Sequence, residues 1–424
     1  MSGAILDDLA WRGLVAEATD PVALRAALDA GPVTFYCGFD PTAPSLHFGN
    51  LVQLVTMRRL QDAGHHPIAV VGGATGLIGD PSGKDAERSL NEIDVVEGWV
   101  ERIRGQVEGI LAFEGANPAR IVNNLEWTAP MSALTFLREV GKHFSVARML
   151  AKEAVSARLD TAGISYTEFS YQILQAMDYL ELHRRYGCVL QTGGSDQWGN
   201  LTAGVDLIRR AEGATVHALA TPLITRSDGR KYGKTEAGAV FLDPEMTSPF
   251  AFYQYFLNQD DADVVALLKV FSFRPREGDD GIDALAEATA RRPEARQAQR
   301  VLASELTALV HGEGESSRAI AASEALFGSG DLRALDAPTL AAATAELPRA
   351  PMREGATILD LLTASGLASS RGDARRTVVE GGAYLNNERV GDAAAEPGPS
   401  DFLHGRWALL RRGKRQLAVI ERKP

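Results

Sequence analysis

Two rhythms of apolar residues alternate along the first half of the chain. Residues 33–39, 67–71, 119–123 and 187–191 are short apolar runs of strand length. Between them, Leu51, Leu54, Val55 and Leu60 recur at helical spacing, and residues 97–113 and 200–211 also read as helices. Strands that alternate with helices predict an α/β domain built on a parallel sheet with covered faces. After Pro249 the rhythm changes. Residues 250–257, 262–271 and 294–310 read as helices with no strand between them. Residues 328–354 resemble a connector, rich in Ala, Pro and Leu. From residue 355 the pattern is two short helices, then strand and turn pieces around residues 384–390 and 407–410. Four segments are therefore expected: 1–247, an all-helical 248–327, a linker 328–354, and a small α+β module 355–424.

Composition narrows the class. The chain has 424 residues, 45% hydrophobic and 23% charged, which are globular values. No run approaches the roughly 18 consecutive apolar residues of a membrane span. The first ten residues are acidic and lack an export signal, so a cytoplasmic location is expected. Cys37 and Cys188 are the 2 cysteines. One disulfide is conceivable, but two free thiols suit a reducing compartment better. The net charge of -11 excludes a globally basic nucleic-acid coat. Charge is uneven, however. Residues 353–424 hold 12 basic and 9 acidic residues, a net of +3 that leaves -14 for the rest. Residues 401–424 alone hold 7 basic and 2 acidic residues. A basic tail on an acidic body suggests a local contact with a polyanion.

Five runs carry candidate chemistry. Residues 36–50 pass from a strand through a Pro-punctuated loop into a helix, with His47-Phe48-Gly49-Asn50 at its start. Free N–H groups and the helix dipole favour phosphate there, and His47 and Asn50 can add donors. Alone, the run equally fits an ordinary helix start with a surface histidine. In residues 226–235, Arg226, Arg230, Lys231 and Lys234 crowd a glycine-containing turn that can close over a triphosphate; it also fits a solvated basic turn. Residues 72–84 form a glycine-rich loop that is neither a P-loop nor a dinucleotide fingerprint. Residues 191–197 sit where a strand ends and a helix begins, the usual crevice of an open sheet. Finally, Tyr171, Gln175 and Asp178 share one face of an otherwise apolar helix. A polar stripe there is either solvated or the wall of a pocket for a small polar ligand.

Together the five runs closely resemble the bacterial tyrosyl-tRNA synthetases, class I enzymes with HIGH and KMSKS signatures. Here these read His47-Phe48-Gly49-Asn50 and Lys231-Tyr232-Gly233-Lys234-Thr235. The likeness extends through residues 36–40, 79–84, 171–178 and 193–200, and covers nearly the whole chain. It implies a Rossmann-like catalytic domain, a helical anticodon-side domain, and an S4-like RNA-binding domain at residues 355–424. It also implies a homodimer that activates L-tyrosine with ATP and transfers it to tRNA(Tyr). Magnesium would arrive on the ATP phosphates, without a protein-only metal site or a prosthetic group.

By the same resemblance, Tyr36 and Asp178 bond the phenol hydroxyl, and Asp80, Tyr171 and Gln175 hold the ammonium group. Phenylalanine would leave Tyr36 and Asp178 without buried partners. Thr42, His47, Asn50, Lys84, Arg88, Lys231, Lys234 and Thr235 would surround the triphosphate. Cys37, Gly38, Asp40, His47, Gly194, Asp196, Gln197 and Lys234 would face ATP, its adenosine or nearby groups. Arg371, Arg375 and Arg376 on one short helix would meet RNA. Asn50 stands where the family often has a second histidine, and the middle Met-Ser of KMSKS is replaced by Tyr232-Gly233. Both lysines survive. A tryptophanyl enzyme, a nucleotidyltransferase and a catalytically dead RNA scaffold are the competing classes. Tyr36 with Asp178 and the S4-like tail argue against the first. The helical domain and tail argue against the second, and Lys231, Lys234 and Asp80 against the third.

Overall fold

Six strands form the central sheet: β1 Glu17–Ala18, β2 Thr34–Phe39, β3 His66–Val71, β4 Arg120–Asn123, β5 Cys188–Gly194 and β6 His217–Thr221. Their spatial order is β1-β6-β5-β2-β3-β4. Every pairing is parallel except β1 with β6. From β2 the chain builds outward to β3 and β4, then returns to add β5 and β6 on the other side. The carboxyl ends of β2 and β5 thus flank the reversal point, where open α/β sheets bind ligands. This computed structural model describes residues 4–80, 92–151, 155–156, 163–229, 232, 234–235, 238–327, 330–413 and 416–422, with only the backbone of 234–235.

The helices of this unit are α1 Ala4–Trp11, α2 Phe48–Asp62, α3 Ile93–Glu108, α4 Tyr166–Tyr186, α5 Trp198–Glu212 and α6 Asp261–Phe271. α4 starts where the Ser165 hydroxyl accepts the Glu168 N–H (3.2 Å) and stops at Gly187, which takes a left-handed φ of 62°. Ile173, Ala176, Met177 and Leu180 of α4 bury with Ala203 and Leu207 of α5 against Tyr36, Ile68, Val70 and Val122 of the sheet. Strand alternation sends Cys37 to the opposite face, where its Sγ lies 3.9 Å from Gln53 Oε1 of α2.

The chain divides into two compact units. One joins Met1–Thr247 with Gln259–Leu302, and the other Ser248–Asn258 with Ala303–Pro424. The helical stretch after Pro249 is shared between them. In the second unit, the helix Pro249–Leu257 meets α7 Glu313–Phe327 through Gln254 Nε2 and Ser323 Oγ (2.8 Å). β9 Arg349–Pro351, α8 Ile358–Ala364, α9 Arg371–Val379, β10 Ala383–Leu385, β11 Glu388–Arg389, β12 Trp407–Arg412 and β13 Gln416–Glu421 follow. Their sheet runs β11-β10-β12-β13-β9. Asn386 and Asn387, at φ 48° and 69°, make the tight turn between β10 and β11.

Gly204 marks a close approach of α5 to α4. A Cβ there would lie 2.8 Å from Tyr179 Cδ1. Alanine favours a helix by about 1 kcal/mol, whereas overpacking a core costs about 1–3 kcal/mol. We expect Gly204→Ala to lower stability in urea unfolding; an unchanged or higher midpoint would contradict this packing.

Candidate active site

The site assembles at the carboxyl ends of β2 and β5, beneath α4. Asp178, 4% exposed, accepts Asn124 Nδ2 at 2.9 Å on one oxygen and Trp127 Nε1 at 2.8 Å on the other. Burial pushes its carboxyl up to about 7, against the pull of those two donors. Asn124 also donates to Thr75 Oγ1 (3.0 Å) and accepts the Ala74 N–H (2.7 Å). Thr75 in turn donates to Asp40 Oδ1 (2.6 Å), and Tyr171 donates to Asp40 Oδ2 (2.6 Å). The chain of bonds therefore leaves α4 at Asp178 and returns to it at Tyr171. Gly72 permits this closure, since a Cβ there would stand 2.0 Å from Asp40 Oδ1.

Tyr36 sits 1% exposed against the Tyr179 ring, with centroids 5.1 Å apart. Its hydroxyl has no hydrogen-bond partner among the described residues. Burial first, then the charge of Asp178, raises its pKa well above the ordinary phenol value. Gln175 Oε1 on α4 and Gln191 Oε1 on β5 are likewise buried acceptors without a described partner. Gln197 Nε2 donates to buried Asp80 (2.6 Å), and Asn200 Nδ2 to Gln197 Oε1 (3.0 Å). Tyr36, Tyr171, Gln175, Asp178 and Asp80 thus bring acceptors and one unused hydroxyl to the same side of β2.

His47 and Asn50 cap α2 reciprocally. His47 Nδ1 accepts the Gly49 N–H (3.0 Å), and Asn50 Oδ1 accepts the His47 N–H (3.0 Å). A ring that accepts on Nδ1 carries its neutral proton on Nε2, while the Asn50 amide turns its NH2 outward. Both become donors at a helix N-terminus. Thr42 and Gly38 are exposed nearby in sequence, and among the described residues no atom lies within 4 Å of a Cβ built on Gly38. Cys37 is different: its thiol is buried and pushed up to about 12, which leaves it inert as an acid. Asp196 is exposed, and its Oδ1 would lie 2.5 Å from a Cβ on Gly194.

The second basic run meets the first through the backbone. Lys234–Thr235 forms β7, paired with β8 Gly238–Ala239. The chain beyond β8 bridges His47 at Phe241, and Val240 O accepts the Phe48 N–H (2.8 Å). The Tyr232 ring stands edge-on to Phe48 at 6.2 Å, with the Arg226 guanidinium 5.3 Å away. Lys84, Arg88 and Lys231 lie outside the described residues, as do the side chains of Lys234 and Thr235.

In the second unit, Arg371, Arg375 and Arg376 are all exposed on α9. Arg371 pairs with Asp360 (3.0 Å) and Arg376 reaches Asp373 (3.9 Å), whereas Arg375 has no ion pair among the described residues. Arg412 grips Asp373 with two bonds of 2.8 and 2.9 Å, drawing its carboxyl down to about 2.

Asn124, Trp127 and Thr75 escaped the sequence reading. One signal was available: the strand ending at Asn123 closes in two asparagines followed by a tryptophan, at the sheet end where ligands bind.

The family described as tRNA synthetases class I (W and Y) matches residues 28–328, and a tyrosine–tRNA ligase SYY-like C-terminal domain matches residues 339–420. A tyrosine–tRNA ligase of Streptomyces avermitilis is 61% identical over 419 residues, 98% of each chain. One from Mycobacterium tuberculosis is 57% identical over the full length of both. A C-terminally truncated mitochondrial tyrosyl-tRNA synthetase of Aspergillus nidulans superposes with a TM-score of 0.68 at 28% identity, over 74% of this chain and 92% of that one. A tryptophanyl-tRNA synthetase of Encephalitozoon cuniculi shares the fold at a TM-score of 0.52 and 13% identity, over 74% of this chain and 87% of that one. With family models over residues 28–328 and 339–420 and near-complete coverage at this identity, the chain belongs to the tyrosine–tRNA ligases of the class I tRNA synthetases.

Proposed function

We propose that this chain performs its family's reaction, joining tyrosine to tRNA(Tyr) with ATP, through the residues assembled above. The observation that carries this reading is the Tyr36 hydroxyl, buried without a described partner in the field of Asp178. A substrate phenol supplies the missing partner: it accepts from Tyr36 and donates to a remaining lone pair of Asp178. The ammonium group needs acceptors, and Asp80, the Tyr171 oxygen and Gln175 Oε1 are acceptors. The tyrosine carboxylate then attacks the α-phosphate in line, giving tyrosyl-adenylate and pyrophosphate. The carboxylate is already ionised, so no general base is required. Catalysis is positioning and charge stabilisation. His47 Nε2–H and Asn50 Nδ2–H serve as neutral donors, with Thr42, Lys84, Arg88, Lys231, Lys234 and Thr235 completing the triphosphate site. Gly38, Asp40, Gly194, Asp196 and Gln197 face the adenosine or groups beside it, and Cys37 backs that wall. In the second step the terminal ribose hydroxyl of tRNA attacks the activated carbonyl.

Magnesium enters on the ATP phosphates. Among the described residues no group of three or more His, Cys, Asp or Glu could hold a metal ion. The tail at residues 355–424 binds RNA as an S4-like module, with Arg375 on α9 free of ion pairs among the described residues. Residues 1–247, 248–327 and 328–354 serve as catalytic domain, anticodon-side helices and linker. A homodimer is supported by Leu134, Leu137, Val146, Leu150 and Tyr166, exposed apolar side chains in one stretch of the first unit. The cytoplasm suits two buried free thiols.

The test is amino-acid-dependent ATP–pyrophosphate exchange by the purified chain. We expect exchange with tyrosine and little with tryptophan or phenylalanine; exchange with tryptophan alone would overturn the specificity. Tyr36→Phe should leave the free protein equally or more stable, since it removes an unsatisfied buried hydroxyl worth about 1–3 kcal/mol. It should also narrow the preference for tyrosine over phenylalanine. A loss of stability with unchanged preference would place the Tyr36 hydroxyl outside the site.

A further inference from the structure

Asp263 lies in the first turn of α6, 6% exposed, and accepts the backbone N–H of Ser227 at 2.9 Å. Ser227 opens the Ser227-Asp228-Gly229 turn that leads into the basic signature loop. An acidic residue in a helix's first turn has a commonplace explanation in the helix dipole. Asp261, exposed in the same turn, already serves that purpose. Asp263 instead turns inward, and a buried carboxylate receiving an N–H makes a charge-assisted bond stronger than a neutral one.

The other end of α6 is fastened as firmly. Arg12, 5% exposed, donates to the carbonyls of Lys269 (3.0 Å), Ser272 (2.9 Å) and Arg274 (2.9 Å). Arg59 donates to Val270 O (3.3 Å) and to the same Ser272 carbonyl. Arg59 belongs to α2, the helix that His47 and Asn50 cap. α6 is thus a strut with one end on the His47 helix and the other on the root of the signature loop. Farther along that loop, Tyr232 packs against Phe48.

We propose that Asp263 is a positioning residue for tyrosine activation: through Ser227 it sets the loop's root, and Tyr232 beyond it, relative to α2 and its His47–Asn50 cap. Asp263 touches no substrate, and its effect belongs to the activation step, leaving tyrosine binding unaltered. The proposal rests on the loop being the triphosphate clamp.

Two substitutions remove the bond from opposite sides. Asp263→Ala deletes the acceptor. Ser227→Pro deletes the donor at an exposed position, where the Gly229 N–H to Arg226 O bond (2.9 Å) makes residue 227 the second residue of a β-turn, a position that proline favours. Asp263→Asn keeps an acceptor oxygen. In single-turnover adenylate formation by the full chain, we expect Asp263→Ala and Ser227→Pro each to slow activation by about 10- to 100-fold, the scale of a small misplacement of reacting groups. Tyrosine affinity should stay within about twofold, and the double variant should be no slower than the worse single one. Asp263→Asn should recover most of the rate. Wild-type activation in Ser227→Pro, losses that multiply in the double variant, or parallel loss of tyrosine binding would each overturn the assignment. Absence of tyrosine-dependent activation in the unsubstituted chain would overturn the proposed function with it; normal activation there and in both single variants would overturn the Asp263 role alone.

Discussion

The buried carboxylate of Asp178 takes its hydrogen bonds from two neutral donors, Asn124 and Trp127. Burying such a charge is costly unless its lone pairs are used. Here the requirement organises a circuit that runs Asp178, Asn124, Thr75, Asp40, Tyr171 and back to α4. Each bond contributes only about 0.5–1.5 kcal/mol net. Leaving any member unpaired in a low-dielectric interior is more serious, so the members hold one another in place. The circuit joins β2, the glycine loop after β3, the end of β4, and α4, and so fixes these elements against one another. What it leaves unused is as informative: the Tyr36 hydroxyl and Gln175 Oε1 are buried without described partners.

On the other side of β2 the chemistry is of a different kind. Asn50 caps the His47 N–H, His47 caps the Gly49 N–H, and both side chains keep neutral donors for use. Nothing in that pair needs to move a proton. A site made of fixed dipoles suits a reaction whose nucleophile is already charged and whose barrier lies in concentrating negative charge on phosphate. The alternation of strand side chains sends neighbouring residues of β2 to opposite faces. Tyr36 faces the polar circuit, and Cys37, one residue on, faces α2.

Much of the architecture was legible because periodicity reports burial. The strands at residues 34–39, 66–71 and 120–123 and the helices around Leu54 and Met177 follow their apolar patterns closely. β6 was not legible, because His217-Ala218-Leu219-Ala220-Thr221 is alanine-rich and has no alternation, and only its place beside β5 makes it a strand. β5 runs past Gln191 because Thr192, Gly193 and Gly194 pair with β6, although their composition resembles a turn. In the site, the Tyr171–Gln175–Asp178 face was visible as a helical spacing. Asn124, Trp127 and Thr75 were not, since their partners lie 35 to 54 residues away in sequence and no local pattern encodes such a contact. In the tail the three arginines were visible, but their carboxylate partners, Asp360 for Arg371 and Asp373 for Arg376, were not.

If the circuit tunes Asp178 for a phenol, a residue that touches no substrate should govern discrimination. The most direct measurement is the ratio of phenylalanine to tyrosine dissociation constants, determined by equilibrium binding for the unsubstituted chain and for Asn124→Ala. Asn124 is fully buried and bonds Asp178, Thr75 and Ala74. A ratio that collapses by tenfold or more (about 1.4 kcal/mol), through weaker tyrosine binding and little change for phenylalanine, is the result expected. An unchanged ratio would contradict the account, because the phenol would then be recognised without the circuit.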